Sequence, residues 1–486
     1  MKNSQKILFA IPKVKSMYGN NVAPPLYPHV GIAYLSSFLV SKGYQVRVFD
    51  EGVETNHQKL YYLIDNFKPD IIGVTGFSYA SVFMDKLVKN IQKYTSIPII
   101  AGGPHVSAVR EQIIQSTGVN FAIIGEAEDT FFKFLKEFIQ KKPDYSQVPG
   151  LIWKNKNQIV LNPKNKYLID LDQLPFPDFD VFDLSRYGCF RENTIPIITS
   201  RGCPYGCNYC SVRLSMGQCF RPRSADNVFK EIKYWHKKGY HTFDINDDCF
   251  TLDLKRAKDI CDLIINHHLK IKFQLYNGIR VDRVDRELLF KLKQAGCFFI
   301  AYGCESGSQK VIDTIGKNIR LDQVRKTIDW TNTAGIKNAV NFIIGHQDES
   351  YADAKETLIF AQSLPTNFVN FYNLVPYPGT SVYDWAIKNA KFLVPSKTYL
   401  QNISYRDNTP IFETTKFTKT QRHDIMKIGF NLYEKKLFQF RFGRNLGYFF
   451  YLITRIKPIS DISHSLISRS QLLVKIFQKL TAKSRQ

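Results

Sequence analysis

Short apolar runs recur along the first 140 residues. Each is separated from the next by a longer stretch whose apolar positions repeat at three and four residues. The runs are Ile7–Ala10, Val46–Phe49, Ile71–Thr75, Ile97–Ala101 and Phe121–Ile124. Continuous apolar runs of this length predict strands buried on both faces. The intervening segments, such as Ile32–Val40 and Val82–Tyr94, have the period of helices. Together they predict a doubly wound, flavodoxin-like α/β domain over residues 1–140. Ligands of such sheets sit at the carboxyl ends of the strands. Here those ends carry Gly76-Phe77-Ser78, Gly102-Gly103-Pro104-His105 and Gly125-Glu126. Glycines there let backbone approach a large flat or phosphorylated ligand closely.

The alternation pauses over residues 141–193, which read as a connector. Gly150–Lys154 and Gln158–Leu161 flank Asn155-Lys156-Asn157 and predict a β-hairpin. Leu174–Asp180 follows, punctuated by Pro175 and Pro177, and reads as an extended segment across a domain junction.

From residue 194 to 390 strands and helices alternate again. Strands are predicted at Ile195–Thr199, Thr242–Asn246, Ile271–Leu275, Phe298–Tyr302, Ala339–Ile343 and Phe368–Tyr372. Helices are predicted at Asp226–Lys238, Leu254–His267, Glu287–Gln294, Leu321–Thr333 and Tyr351–Leu364. Six such units predict a partial TIM-like (βα)6 barrel, with its chemistry at the carboxyl ends of the strands.

A length of 486 residues suits about three domains, and 44% hydrophobic residues support packed cores rather than disorder. No apolar run is long enough for a signal peptide or a membrane span, so a cytoplasmic protein is expected. The net charge of +23 is concentrated at one end. Residues 416–486 hold 15 Lys and Arg against three Asp and Glu. Residues 391–486 therefore read as a basic, mostly helical C-terminal region. Its stretch 430–455 mixes Phe438, Phe440, Phe442 and Phe449 with Lys435, Arg441 and Arg444. That mixture suits either an interfacial helix on anionic lipid or a helix packed on the barrel with a solvated basic face.

Candidate chemistry lies in the loop after the first barrel strand, Arg201-Gly202-Cys203-Pro204-Tyr205-Gly206-Cys207-Asn208-Tyr209-Cys210. Three thiolates within eight residues can all face one [4Fe–4S] cluster, leaving one of its four irons open to another ligand. An open iron implies chemistry at the cluster. A structural zinc site would need a second ligand pair, and none lies nearby. Nine cysteines, an odd number thinly spread, argue against a disulfide framework. Cys189, Cys219 and Cys249 have no spacing partner and are not expected to bind metal.

The C-x3-C-x2-C spacing, with Tyr209 before the last cysteine, resembles the signature of radical S-adenosylmethionine (SAM) enzymes. The N-terminal segment resembles the cobalamin (B12)-binding domain that precedes the barrel in many of them. The matching pieces there are Gly31–Leu35, Pro69–Thr75, Ala101–His105 and Ile124–Glu128. The D-x-H-x-x-G element that supplies a cobalt ligand in many cobalamin proteins is absent. His29 and His105 lack its context, so the resemblance implies no protein histidine below the cobalt. Within the barrel, Asp247 or Asp248 would receive the ammonium of SAM, a role that competes with capping of the next helix. Glu305 and Ser306 of Gly303–Gly307 would face SAM, with Cys304 a small buried residue. Ile344 and Gly345 would stack on adenine; of the family's Gly-Leu-Pro-Gly-Glu-Thr the chain keeps Gly345 and Glu349 but not the Pro and the second Gly. Arg221 and Arg223 would order the cysteine loop or meet SAM's carboxylate, and Ser224 would cap the following helix.

The resemblance covers about residues 6–390. It implies a cobalamin-dependent radical SAM enzyme that cleaves SAM to a 5′-deoxyadenosyl radical, with Cys203, Cys207 and Cys210 as cluster ligands. The expected outcome is C-methylation of a lipid, isoprenoid or natural-product intermediate. Ring closure, oxidation or C–C coupling without methyl transfer is the alternative. An RNA-modifying methylthiotransferase is the other, but residues 1–188 hold no cysteine for a second cluster. Expected partners are a small-molecule or lipid substrate, an electron donor such as flavodoxin or ferredoxin, and a membrane surface met through the C-terminal region. Nucleic acid is not expected.

Overall fold

The computed structural model of the chain describes residues 5–14, 25–54, 56–164, 167–168, 170–191, 193–395, 399–402, 409–453 and 455. Two parallel sheets organise them. The first runs Gln45–Asp50, Lys6–Ile11, Ile71–Thr75, Ile99–Gly102, Phe121–Ile123, the doubly wound order. The predicted hairpin forms from Leu151–Asn155 and Gln158–Leu161, but it belongs to this sheet rather than to a separate connector. It pairs antiparallel with the fifth strand, Ala122 opposite Ile152. Leu151 and Ile152 are fully buried there. The pairing thus hides apolar side chains and satisfies an otherwise open sheet edge.

Side chains alternate across the first sheet. Leu8 and Ala10 pack into a core confined to this domain. Ile7, Phe9 and Ile11 pack into a second core that continues into the barrel through Phe179, Phe182 and Tyr187. The segment after the hairpin therefore bonds the two sheets into one hydrophobic body.

The second sheet runs Thr194–Ile197, Thr242–Ile245, Lys272–Ile279, Cys297–Glu305, Lys337–Ile344, Phe368–Asn373. All neighbours are parallel and in chain order. Among the described residues no pairing joins its first and last strands, so the barrel is open. Ser224, Asp253, Asp285 and Ser350 cap its crossover helices, each accepting from the backbone N–H three residues on. Ser224 is the cap the sequence predicts. Asp253, and not Asp247 or Asp248, caps the helix after the second strand.

Helix Lys419–Phe442 lies along the free edge of the barrel. Phe440 packs on Phe368 with ring centroids 4.8 Å apart. Lys436 Nζ donates to the carbonyls of Leu364 and Thr366 at 3.1 and 3.2 Å. The chain turns at Gly443, and Arg444–Ile453 folds back on the end of that helix. The aromatic stretch is thus two helices. The remainder of the basic tail, from 456, lies outside the described residues. Among the described residues no helix is long and apolar enough to cross a membrane.

Candidate functional site

Ser200–Arg201 and Arg221–Pro222 pair antiparallel, with Arg201 opposite Arg221. This short ladder closes the loop that carries Cys203, Cys207 and Cys210. Gly202 admits the tight entry, with φ at +81°. A Cβ there would stand 2.3 Å from the carbonyl oxygen of Cys219, which no side chain can tolerate. Tyr205, between the first two cysteines, is held under Arg280, whose guanidinium lies 3.5 Å from its ring centroid. Its hydroxyl accepts from Arg283 Nε at 2.7 Å.

Cys207 is buried, while Cys203 and Cys210 are half-buried. Burial pushes the Cys210 thiol up to about 11 and raises that of Cys207, where Lys317 and Arg280 oppose the shift. The Cys203 thiol is lowered to about 7, first by a hydrogen bond with the thiol of Cys249. Cys249 arrives from the end of the second barrel strand, a neighbour that spacing alone does not reveal.

Among the described residues no three His, Cys, Asp or Glu side chains converge as they would on a single metal ion. A cubane cluster asks for a different arrangement. Each thiolate takes a separate iron, so the sulfurs surround a volume instead of meeting at a point. Three thiols on one loop that sense one another's charge, with two cations beside them, fit that demand.

The residues expected around SAM divide into two groups. Asp247 is committed inside the protein. Its carboxylate accepts from Thr199 N and Thr199 Oγ1 at 2.5 Å and from Ser200 Oγ at 2.6 Å. It thereby joins the ends of the first two barrel strands. Ser306 is likewise committed, bonded to Thr357 Oγ1 at 3.0 Å and accepting from Ser308 N at 3.1 Å. Glu305 is paired with Lys317 Nζ at 2.5 Å and accepts the Tyr209 hydroxyl. Asp248 is less tied. It accepts from Gly202 N at 3.0 Å, and burial lifts its carboxyl to about 6.

After the fifth strand, Glu349 Oε2 accepts from Gly345 N and His346 N at 2.5 and 2.9 Å. Tyr209 meets the His346 ring edge-on, 5.5 Å between centroids. Buried here without partners are Asn208 Oδ1, both ring nitrogens of His346, Glu349 Oε1 and both amide atoms of Asn373. They come from the cysteine loop, the turn after the fifth strand and the end of the sixth. Desolvated polar atoms left unpaired are costly. Such a set beside the cysteines fits an enclosed ligand rich in donors and acceptors, as SAM is.

At the carboxyl edge of the first sheet, three of the predicted segments meet. His105 N donates to Gly76 O at 3.0 Å, and His105 Nδ1 bonds Ser78 Oγ at 3.3 Å. Gly125 N donates to Ser107 Oγ at 2.8 Å, tying the 102–105 turn to the fifth strand. Phe77 is 37% exposed and stacks between His29 and Tyr79, with centroids 5.5 and 5.3 Å away. Space above Gly102 is open. His29 Nδ1 accepts from Ile32 N at 3.2 Å. A neutral ring therefore carries its proton on Nε2, which is buried and unpaired. An exposed aromatic edge with an unmatched N–H donor fits a flat ligand bearing acceptors, such as a corrinoid with its amide side chains.

Glu126 departs from expectation. Its carboxylate does not face that edge but bonds Arg201 and Arg221. Arg221 also donates to the carbonyls of Leu168 and Met216, and Arg223 pairs with buried Glu231. Arg221 therefore serves the loop's architecture, one of the two roles the sequence left open for it, while Arg223 fixes the following helix to the end of the first barrel strand. Arg280, Lys317 and Arg422 are the residues sequence reasoning missed. Arg280 and Arg422 lie 75 and 78 residues from Tyr205 and Ile344, which they touch.

Known proteins share this arrangement. The model of the B12 binding domain matches residues 19–135, and that of the radical SAM superfamily matches residues 197–361. An uncharacterized methyltransferase of Pyrococcus horikoshii is 29% identical over 87% of this chain and 91% of its own. The anaerobic magnesium-protoporphyrin IX monomethyl ester cyclase of Rubrivivax gelatinosus is 23% identical over 78% of this chain and 69% of its own. Among solved structures, the radical SAM methyltransferase TsrM of Kitasatospora setae, with cobalamin and a [4Fe–4S] cluster bound, superposes with a TM-score of 0.65. It is 18% identical over 78% of this chain and 77% of its own, and it shares the fold.

Proposed function

We propose that this chain, which belongs to the radical SAM superfamily and carries a B12 binding domain, is a cobalamin-dependent methyltransferase that acts on an unactivated carbon of an apolar substrate. The observation that carries the reading is the cysteine loop at the carboxyl edge of the barrel, bonded directly to the carboxyl edge of the first sheet. When bound, the cluster and SAM supply a 5′-deoxyadenosyl radical and the corrinoid supplies a methyl group.

The chain's own part is to hold and enclose. Cys203, Cys207 and Cys210 hold the cluster, and Arg280 and Lys317 offset its charge. Asp248 receives the ammonium of SAM, since Asp247 is already saturated. Asn208, His346 and Asn373 meet the nucleoside with the polar atoms they now leave unpaired. Gly76–Ser78, Gly102–His105, Gly125 and His29 cradle the corrinoid.

The apolar substrate class is suggested by Arg444–Ile453. Leu446 is 61% and Phe449 57% exposed there, close to Lys435, Arg441 and Arg444. An isoprenoid, a lipid or a hydrophobic natural product would suit it, as would contact with an anionic membrane surface. Ring closure without methyl transfer is the second reading, favoured by the likeness to the cyclase.

Anaerobic reconstitution followed by assay of 5′-deoxyadenosine tests the first step. Each of Cys203→Ala, Cys207→Ala and Cys210→Ala should abolish it, and retained cleavage in any one would overturn the cluster assignment. Product mass separates the two outcomes, because methylation adds one carbon.

A further inference from the structure

One carboxylate of the first domain holds both ends of the cysteine loop. Glu126 Oε1 accepts from Arg201 Nη1 at 2.9 Å, and Oε2 accepts from Arg221 Nη1 at 2.5 Å. Arg201 stands two residues before Cys203, and Arg221 is its partner across the ladder. The second arm of Arg201 pairs with Glu128 Oε1 at 2.8 Å. The second arm of Arg221 donates to Met216 O, inside the loop, at 2.7 Å. None of the four side chains is more than 9% exposed. On the other side, Lys164 Nζ donates to Ile124 O at 2.9 Å and also to Glu126 O. The strand end that bears Glu126 is thus fixed as well.

Charge-assisted bonds to planar guanidiniums are directional, and buried ones are little screened. A bridge of this kind transmits orientation as well as attraction. Gly125, directly before Glu126, belongs to the ligand edge of the first sheet through Ser107. A shift of that edge therefore moves the carboxylate, and the carboxylate moves the loop.

We propose that Glu126 is a positioning residue that sets the spacing and tilt between the ligand edge of the first sheet and the cysteine loop, so that occupancy of one is felt at the other. The proposal rests on the reading of these two places as corrinoid and cluster sites. Pulsed EPR measures the distance between cob(II)alamin and the reduced cluster in the loaded protein. Hydrogen exchange measures the freedom of amides 202–220 without any cofactor.

In Glu126→Gln, corrinoid and iron content should stay within twofold of wild type. The distance distribution should widen at least twofold, and exchange over 202–220 should quicken at least tenfold while strand Ile71–Thr75 is unchanged. Distances and exchange equal to wild type would overturn the proposal. If that variant does not fold, Arg221→Lys removes one arm and is read in the same way. In the wild type, added cobalamin should slow exchange over 202–220 at least threefold, and no change there would also overturn it. A wild type that binds no cobalamin overturns the functional reading instead, while the cofactor-free exchange of the variants still decides the clamp.

Discussion

Arg422, on the helix that covers the barrel's free edge, donates through Nη2 to the main-chain oxygen of Ile344 at 3.0 Å. Its guanidinium occupies the place a side chain on Gly345 would need, 1.8 Å from an ideal Cβ. The C-terminal region is therefore part of the site's wall. Gly345 also has φ at +99°, so Gly345→Ala meets strain and collision together. We expect it to cost at least about 2 kcal/mol of stability. Arg422→Ala should cost about 3 kcal/mol, because it strands buried carbonyls and removes the cation near Glu349. Denaturant midpoints measure both, and wild-type midpoints would contradict the packing described.

Two adjacent aspartates should separate by phenotype. Asp247→Asn disturbs three buried hydrogen bonds and should lower stability by about 1–3 kcal/mol. Asp248→Asn should leave the melting temperature close to wild type and weaken SAM binding at least tenfold. Binding titrations on the reconstituted protein, beside thermal melts, distinguish them. The reverse pattern would exchange their roles.

Glu349 links this region to pH. Burial lifts its carboxyl from 4.5 to about 7. Between those values the folded protein keeps a proton that the unfolded chain has released. Its contribution to stability is intact below pH 4.5 and lost as pH rises through 7. The stability of wild type relative to Glu349→Gln should therefore fall between pH 5 and 8, by on the order of 1–3 kcal/mol. Unfolding of both proteins without cofactors across that range checks it, and a flat difference would refute it.

His29 offers a spectroscopic test. With its proton on Nε2 it would donate to a bound corrinoid instead of ligating cobalt. His29→Ala should weaken cobalamin binding by about threefold to tenfold, the loss of one hydrogen bond. The visible spectrum of the bound corrinoid should not move. A shift of the cobalt-centred bands would make His29 a ligand after all.

Much of this was legible along the chain. Among the described residues all eleven parallel strands lie where short apolar runs predict them, because a strand buried on both faces must be apolar along its length. The cysteine loop and Ser224 were legible for a similar reason, since a cap or a loop ligand acts within a few residues of itself. Glu126 was read as ligand-facing from its place at a strand end, and Ser306 and Asp247 from the resemblance to radical SAM enzymes. Their true partners, Arg201 and Arg221, Thr357, and Thr199, stand between 48 and 95 residues away. No local pattern encodes such pairs.

Order and chemistry were thus determined by the sequence alone: two successive parallel sheets, three thiols on one loop, and a basic aromatic end. Tertiary structure decided which carboxylates stay open to a ligand. A carboxylate's role depends on which cations and donors packing brings within about 3 Å of it, and those come from anywhere in the chain. It likewise decided that Cys249 lies beside Cys203 and that the C-terminal helix walls the barrel. Both follow from how the barrel's strands pair and from which strand is left at its edge, which no single segment specifies.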